Sequence, residues 1–135
     1  MSYLLDTNIC VYIMKAHPPE VLVRLSQLEL GEAIMSIVTY AELRAGLEMV
    51  TDTRFQNESA LQLLVTRIPV QHFDEAAAES FGRLRAAVRD RRRDALDRLI
   101  AAHAVSLGAT LITNNETDFK DYPGLKVENW VHPPL

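Results

Sequence analysis

Short apolar runs separated by longer stretches of helical periodicity constrain this chain more than any other feature. Tyr3-Leu4-Leu5, Ala33-Ile34-Met35-Ser36, Pro69-Val70-Gln71-His72-Phe73 and Thr110-Leu111-Ile112-Thr113 read as strands, with Lys126-Val127-Glu128-Asn129 a possible fifth. Between them the apolar positions recur at helical spacing. Asn8 is placed to cap a helix running to about Lys15, and Pro18-Pro19 starts another from Glu20 to Leu28. Thr39 opens a helix containing Tyr40, Leu43 and Leu47; residues 54–66 form the next, with Phe55, Leu61, Leu64 and Val65 on its apolar face. Asp74 caps an alanine-rich helix. Asp94 caps the last, from Ala95 to about Leu107, which Gly108 ends. Short buried strands joined by helices predict an α/β fold, with a mostly parallel sheet of four to five strands and helices on both faces.

The 135 residues suit one domain, residues 1–135, and 48% apolar content suffices for a core without covalent staples. The single cysteine, Cys10, excludes an internal disulfide framework and any cysteine-based zinc site, and reads as a packed residue. No apolar run approaches the roughly 18 residues a membrane span needs, and the start MSYLLDTN lacks a secretory pattern. A cytoplasmic protein without membrane contact is expected.

Charge is unevenly distributed. The net charge is −4, from 14 basic and 18 acidic residues, yet residues 83–98 hold seven arginines against three acids. An acidic body with one arginine-rich segment can meet an anion locally. Arg91, Arg92, Arg93 and Arg98 are the candidates; a solvated face is the plainer reading.

In parallel sheets, ligands bind beyond the carboxyl ends of strands. Polar residues gather there. Asp6 follows the first strand and is either a divalent-metal ligand or a cap for the next helix. Glu42 lies three residues after Thr39, a capping-box spacing, so a local role competes with a place beside Asp6. Asp97 sits three residues after Asp94 in a helix that is otherwise largely apolar. Asn114, Asn115, Glu116 and Asp118 follow the fourth strand, where a turn has the same composition as a site. Several carboxylates in one place repel unless a cation lies between them, and at least one pKa should rise without it. Such a cluster suits Mg²⁺- or Mn²⁺-assisted phosphoryl transfer. No P-loop, GxSxG, HExxH or GxGxxG is present, and Asp6-Thr7-Asn8 lacks the second acid of aspartate-nucleophile phosphatases. His17, His72, His103 and His132 show no ligand spacing. Trp130 and Tyr122 read as packing anchors.

The segments LLDTNICVYIMK, SIVTYAEL, LDRLIAAHAVSLGATLITNN and DFKDYPGLKVENW together resemble the VapC toxins of the PIN-domain ribonuclease family, over nearly the whole chain. The resemblance implies a PIN-like three-layer α/β/α fold and a metal-dependent endoribonuclease, with tRNA the expected target. It places metal ligands (Mg²⁺ or Mn²⁺) at Asp6, Glu42 and Asp97. Asn115 aligns with the fourth acidic position, and Asp118 follows three residues on. Thr7, Asn8 and Thr113 match supporting polar positions. The resemblance also implies a VapB-type antitoxin, which binds operator DNA on the toxin's behalf, and a toxin homodimer within the larger complex. The exposed apolar positions of the first three helices are the expected partner groove. One departure is Arg93-Asp94-Ala95-Leu96-Asp97, where related toxins carry Gly-Pro before the third acid. The alternative reading is a catalytically weak PIN domain that binds RNA or antitoxin.

Overall fold

The computed structural model describes residues 1–89 and 94–131; Arg91, Arg92, Arg93 and His132 lie outside the described residues. Five strands, β1 (Tyr3–Leu5), β2 (Ala33–Ser36), β3 (Val70–Gln71), β4 (Thr110–Ile112) and β5 (Lys126–Glu128), form one sheet in the order β3-β2-β1-β4-β5. All four pairings are parallel, with Leu4 opposite Ile34 on one side and Leu111 on the other. The helices are α1 (Thr7–Lys15), α2 (Pro19–Ser26), α3 (Ile37–Met49), α4 (Arg54–Arg67), α5 (Glu75–Ala87) and α6 (Ala95–Leu107).

Strand alternation builds two cores from adjacent residues. Leu5, Met35 and Ile112 join Ile9, Val21, Leu43, Leu61 and Trp130 in one layer. Leu4, Ile34 and Leu111 turn the other way, against Leu84, Ile100, Ala101, Phe119 and Tyr122 of the second. The result is the three-layer α/β/α arrangement. Cys10, Trp130 and Tyr122 are buried, as read from the sequence. Burial also pushes the Cys10 thiol up, so it stays protonated. Among the described residues, no helix is long and apolar enough to cross a membrane.

The expected caps at Asp74 and Asp94 form, accepting from the Ala77 and the Leu96 and Asp97 N–H groups. Gly108 ends α6 at φ 64°, a left-handed conformation that glycine adopts without Cβ strain. Three local readings are corrected. Asp6, not Asn8, caps α1, through Oδ1 to the Ile9 N–H at 2.9 Å. Ser36, not Thr39, caps α3, accepting from the Val38 N–H at 3.0 Å. Phe55 is 80% exposed, because it lies at the outer start of α4 where nothing packs across it.

Candidate functional site

The strand order reverses between β1 and β4, whose neighbours on either side are β2 and β5. A crevice opens at that point, beyond the carboxyl ends of the strands. It holds a cavity of about 440 Å³ whose walls include Asp6, Thr7, Asn8, Glu42, Asp97, Asn115 and Asp118. Every catalytic and metal-ligating residue expected from the sequence therefore faces one space. Thr113, the remaining supporting residue, lies fully buried just beneath. Asp94, Phe119 and Tyr122 complete the lining. The aromatic pair is not legible as part of a site, since Phe119 and Tyr122 also pack in the core; their only cue is their place just after Asp118.

Local structure explains each position. Asp6 leaves β1 with its amide bonded to the Ile112 carbonyl, so the first and fourth strands jointly hold its backbone. Its cap bond to Ile9 uses one carboxylate oxygen, so the capping and ligand readings are compatible. Burial pushes the Asp6 carboxyl up, and Glu42 adds to this. Hydrogen bonds from Thr113, Ile9 and Asn8 work in the opposite direction. Thr113 also accepts from the Asn115 N–H at 3.0 Å, which ties the turn after β4 to Asp6.

Glu42 is released from its expected local role because α3 starts three residues earlier than the Thr39 reading places it. Its Oε1 instead accepts from the Thr7 hydroxyl at 2.6 Å, across 35 residues of chain. Thr7 and Thr39 hydroxyls stand 3.4 Å apart beside it. Asn115 Nδ2 donates to Asp118, pairing the two residues that share the fourth position.

Asp97 carries the clearest electrostatic signature. Burial, then the charges of Asp94, Asp118, Asp6 and Glu42, push its carboxyl up to about 7. The expected rise from crowded carboxylates is present at the third acid, where it adds to a larger effect of burial. Among the described residues, no three of the acids lie close enough to enclose an ion unaided. An open set of carboxylate and amide oxygens facing a cavity with room for several waters suits Mg²⁺, which keeps several waters and takes few protein ligands. Arg98 does not fit its expected role: it is 5% exposed, held within the fold by the helix turn after Asp97, and offers no surface to RNA or antitoxin.

A second cavity starts at the same place. Thr7 and Glu42 also line a groove of about 420 Å³ that runs between α1, α3 and α4 over Val11, Met14, Leu43, Leu47 and Val50. The sequence places a partner groove on the first three helices. The groove seen here is lined by α1, α3 and α4, since α4 packs against both α1 and α3.

The PIN domain family model matches residues 3–125. Ribonuclease VapC2 of Rickettsia felis is 36% identical over 133 residues, covering 96% of this chain and 98% of that protein. The chain is a VapC-type PIN domain. The tRNA(fMet)-specific endonuclease VapC of Shigella flexneri is 36% identical over 132 residues, again covering 96% and 98% of the two chains. Among solved structures, VapBC2 from Rickettsia felis bound to a promoter DNA fragment matches with a TM-score of 0.88 and 34% identity, over 96% of this chain and 99% of that one. VapBC-1 from nontypeable Haemophilus influenzae matches at 0.87 and 35%, over 98% and 100%. The expected PIN-like fold is therefore the observed one, and this VapC-type chain shares it along nearly its whole length.

Proposed function

We propose that this VapC-type chain is a Mg²⁺- or Mn²⁺-dependent endoribonuclease that hydrolyses phosphodiester bonds in RNA, with tRNA its substrate. The observation that carries the reading is the single cavity onto which Asp6, Glu42, Asp97 and Asp118 all open, with Asp97 raised to about 7 by burial and then by its acidic neighbours. A bound divalent cation supplies a polarised water and charge neutralisation for the scissile phosphate. Asp6, Glu42 and Asp97 would hold it, in part through waters, since no three of the described acids enclose an ion unaided. Thr7 orients Glu42, and Thr113 orients Asp6. Asn115 and Asp118 form the far wall, where an amide oxygen and a carboxylate complete the oxygen set. Arg91, Arg92 and Arg93 serve RNA phosphate or the antitoxin.

The names of the relatives support the substrate class, and the titles of the VapBC structures support the partner. A VapB-type antitoxin neutralises the chain by laying an apolar segment in the α1–α3–α4 groove, whose end opens at Glu42. Operator DNA is reached through that antitoxin only, and two toxin copies pair within the complex.

Cleavage of a total tRNA pool by the purified chain, free of antitoxin, tests the activity. Discrete fragments should appear with Mg²⁺ or Mn²⁺, and disappear with EDTA or in Asp6→Ala. RNA that is bound but never cut, across tRNA, rRNA and mRNA pools, would favour a binding module instead.

A further inference from the structure

Helices α3 and α6 bring Glu42 and Asp97 to the cavity, and they are joined at one buried polar point. His103 Nδ1 on α6 lies 2.7 Å from Ser36 Oγ. Ser36 is fully buried, and His103 is 1% exposed. The same hydroxyl accepts the Val38 N–H, so the atom that caps α3 is also the atom that α6 grips. The polarity in which Ser36 donates to Nδ1 leaves the ring proton on Nε2, towards the His72 carbonyl. Nε2 makes no well-formed hydrogen bond among the described residues. Phe73 packs on the ring edge-on, with centroids 5.3 Å apart.

This pair is a costly way to fill the space. Burying a ring nitrogen with an incomplete partner set disfavours the fold, and an aliphatic side chain would avoid that. What the pair supplies is register. Immediately beside it the buried face of α6 is Ala101, Ala102 and Ala104, with the larger Ile100 and Arg98 nearer the start of the helix, so at the bridge itself the apolar side chains are small and interlock little. A directional hydrogen bond at 2.7 Å resists sliding there. Glu42 lies six residues from Ser36, and Asp97 six from His103. Each carboxylate is therefore about 9 Å of helix from the bridge, at about 1.5 Å per residue. Displacement at the bridge passes along two rigid helices to the two carboxylates.

We propose that His103 is a positioning residue for the nuclease site: through Ser36 it fixes α6 against the start of α3 and so sets the separation of Asp97 from Glu42. This rests on the metal-dependent reading above. Mn²⁺ binding to the purified chain, followed by electron paramagnetic resonance, tests it on His103→Leu, His103→Asn and a core control, Leu64→Ala, in the opposite layer. The leucine variant should bind Mn²⁺ about tenfold more weakly, and asparagine, which can still meet the Ser36 hydroxyl, should recover most of the loss. The control should lower Tm without moving the Mn²⁺ affinity. Affinity within about twofold of the parent in His103→Leu overturns the proposal, as does an equal loss in the control. If His103→Leu does not fold, Ser36→Gly cuts the same bridge with the ring's packing left in place and with less loss at the α3 cap than alanine would bring, and the same thresholds apply. A parent that binds no Mn²⁺ overturns the metal reading itself; a parent that binds, with a leucine variant that binds equally, overturns the positioning role alone.

Discussion

Helix α6 holds two ionisable groups less than two turns apart, and burial displaces them in opposite directions. Asp97, on the first turn, is pushed up to about 7 by burial and four neighbouring acids. His103, mid-helix, is pushed below its usual value by burial, which outweighs the Asp74 charge and the His72 carbonyl. Both groups are driven towards neutrality, yet only one can recover its charge. Asp97 faces a cavity that admits water and a cation. His103 is sealed under Phe73 and Ser36. Perturbation alone therefore does not mark a reactive group; access to the cavity separates the chemical residue from the architectural one.

The contrast breaks most sharply at Asp97. Asp97→Asn should lower RNA cleavage by about 100-fold or more, beyond the range typical of residues behind the ligands. It should also raise the metal-free Tm at pH 8, because the repulsion disappears. A Tm that falls would mean the carboxylate is held by favourable contacts instead.

Next comes the pH dependence. Asp97 keeps in the folded chain a proton that the unfolded chain releases near the ordinary carboxyl value of 3.8. Its contribution to stability is thus full at low pH and lost as pH rises towards and through about 7. His103 acts in reverse: its lowered folded value favours unfolding as pH falls through the ordinary imidazole value of 6.5. The metal-free Tm should therefore decline from pH 5 to pH 8. Asp97→Asn should flatten that slope, His103→Asn should steepen it, and saturating Mn²⁺ should reduce it. Thermal scans at several pH values decide all three.

Thr7→Val removes the 2.6 Å donor to Glu42 and should cost cleavage about tenfold, within the range for outer-shell partners, with little change in Tm. A kinetic comparison at saturating metal checks this. The smallest effect is expected at the far end of the helix, where Gly108→Ala forces a side chain into φ 64°. It should cost about 1–2 kcal/mol in denaturant unfolding and leave cleavage unchanged.

Local chemistry made much of this molecule readable. Asp74, Asp94 and Gly108 act on neighbours within a few residues, so their roles are visible in the sequence. Asp6 was readable as a strand-end acid for the same reason. The start of α3 was not. Ser36 and Thr39 are both competent caps, and the choice falls to Ser36 because β2 extends to it and His103 engages it from 67 residues away. That one displacement removes the capping box and frees Glu42 for the cavity. Arg98 and Phe55 depart from their helical pattern for one reason: the pattern gives a residue's angle on its helix, while the neighbouring elements decide whether anything covers it.

The sheet order has a further consequence for how such an enzyme is made. Strand β1 lies between β2 and β4, and β4 joins it only after more than a hundred residues have been added. Asp6 leaves the ribosome more than a hundred residues ahead of Thr113, Asn115 and Asp118. At roughly 5–20 residues per second, about 6–20 s separate the synthesis of Asp6 from that of Asp118. During that interval the carboxylates have no common cavity. A chain truncated before β4 carries three of the four acids and no assembled site, so the synthesising machinery is not exposed to a working nuclease until β4 and the turn after it have been made.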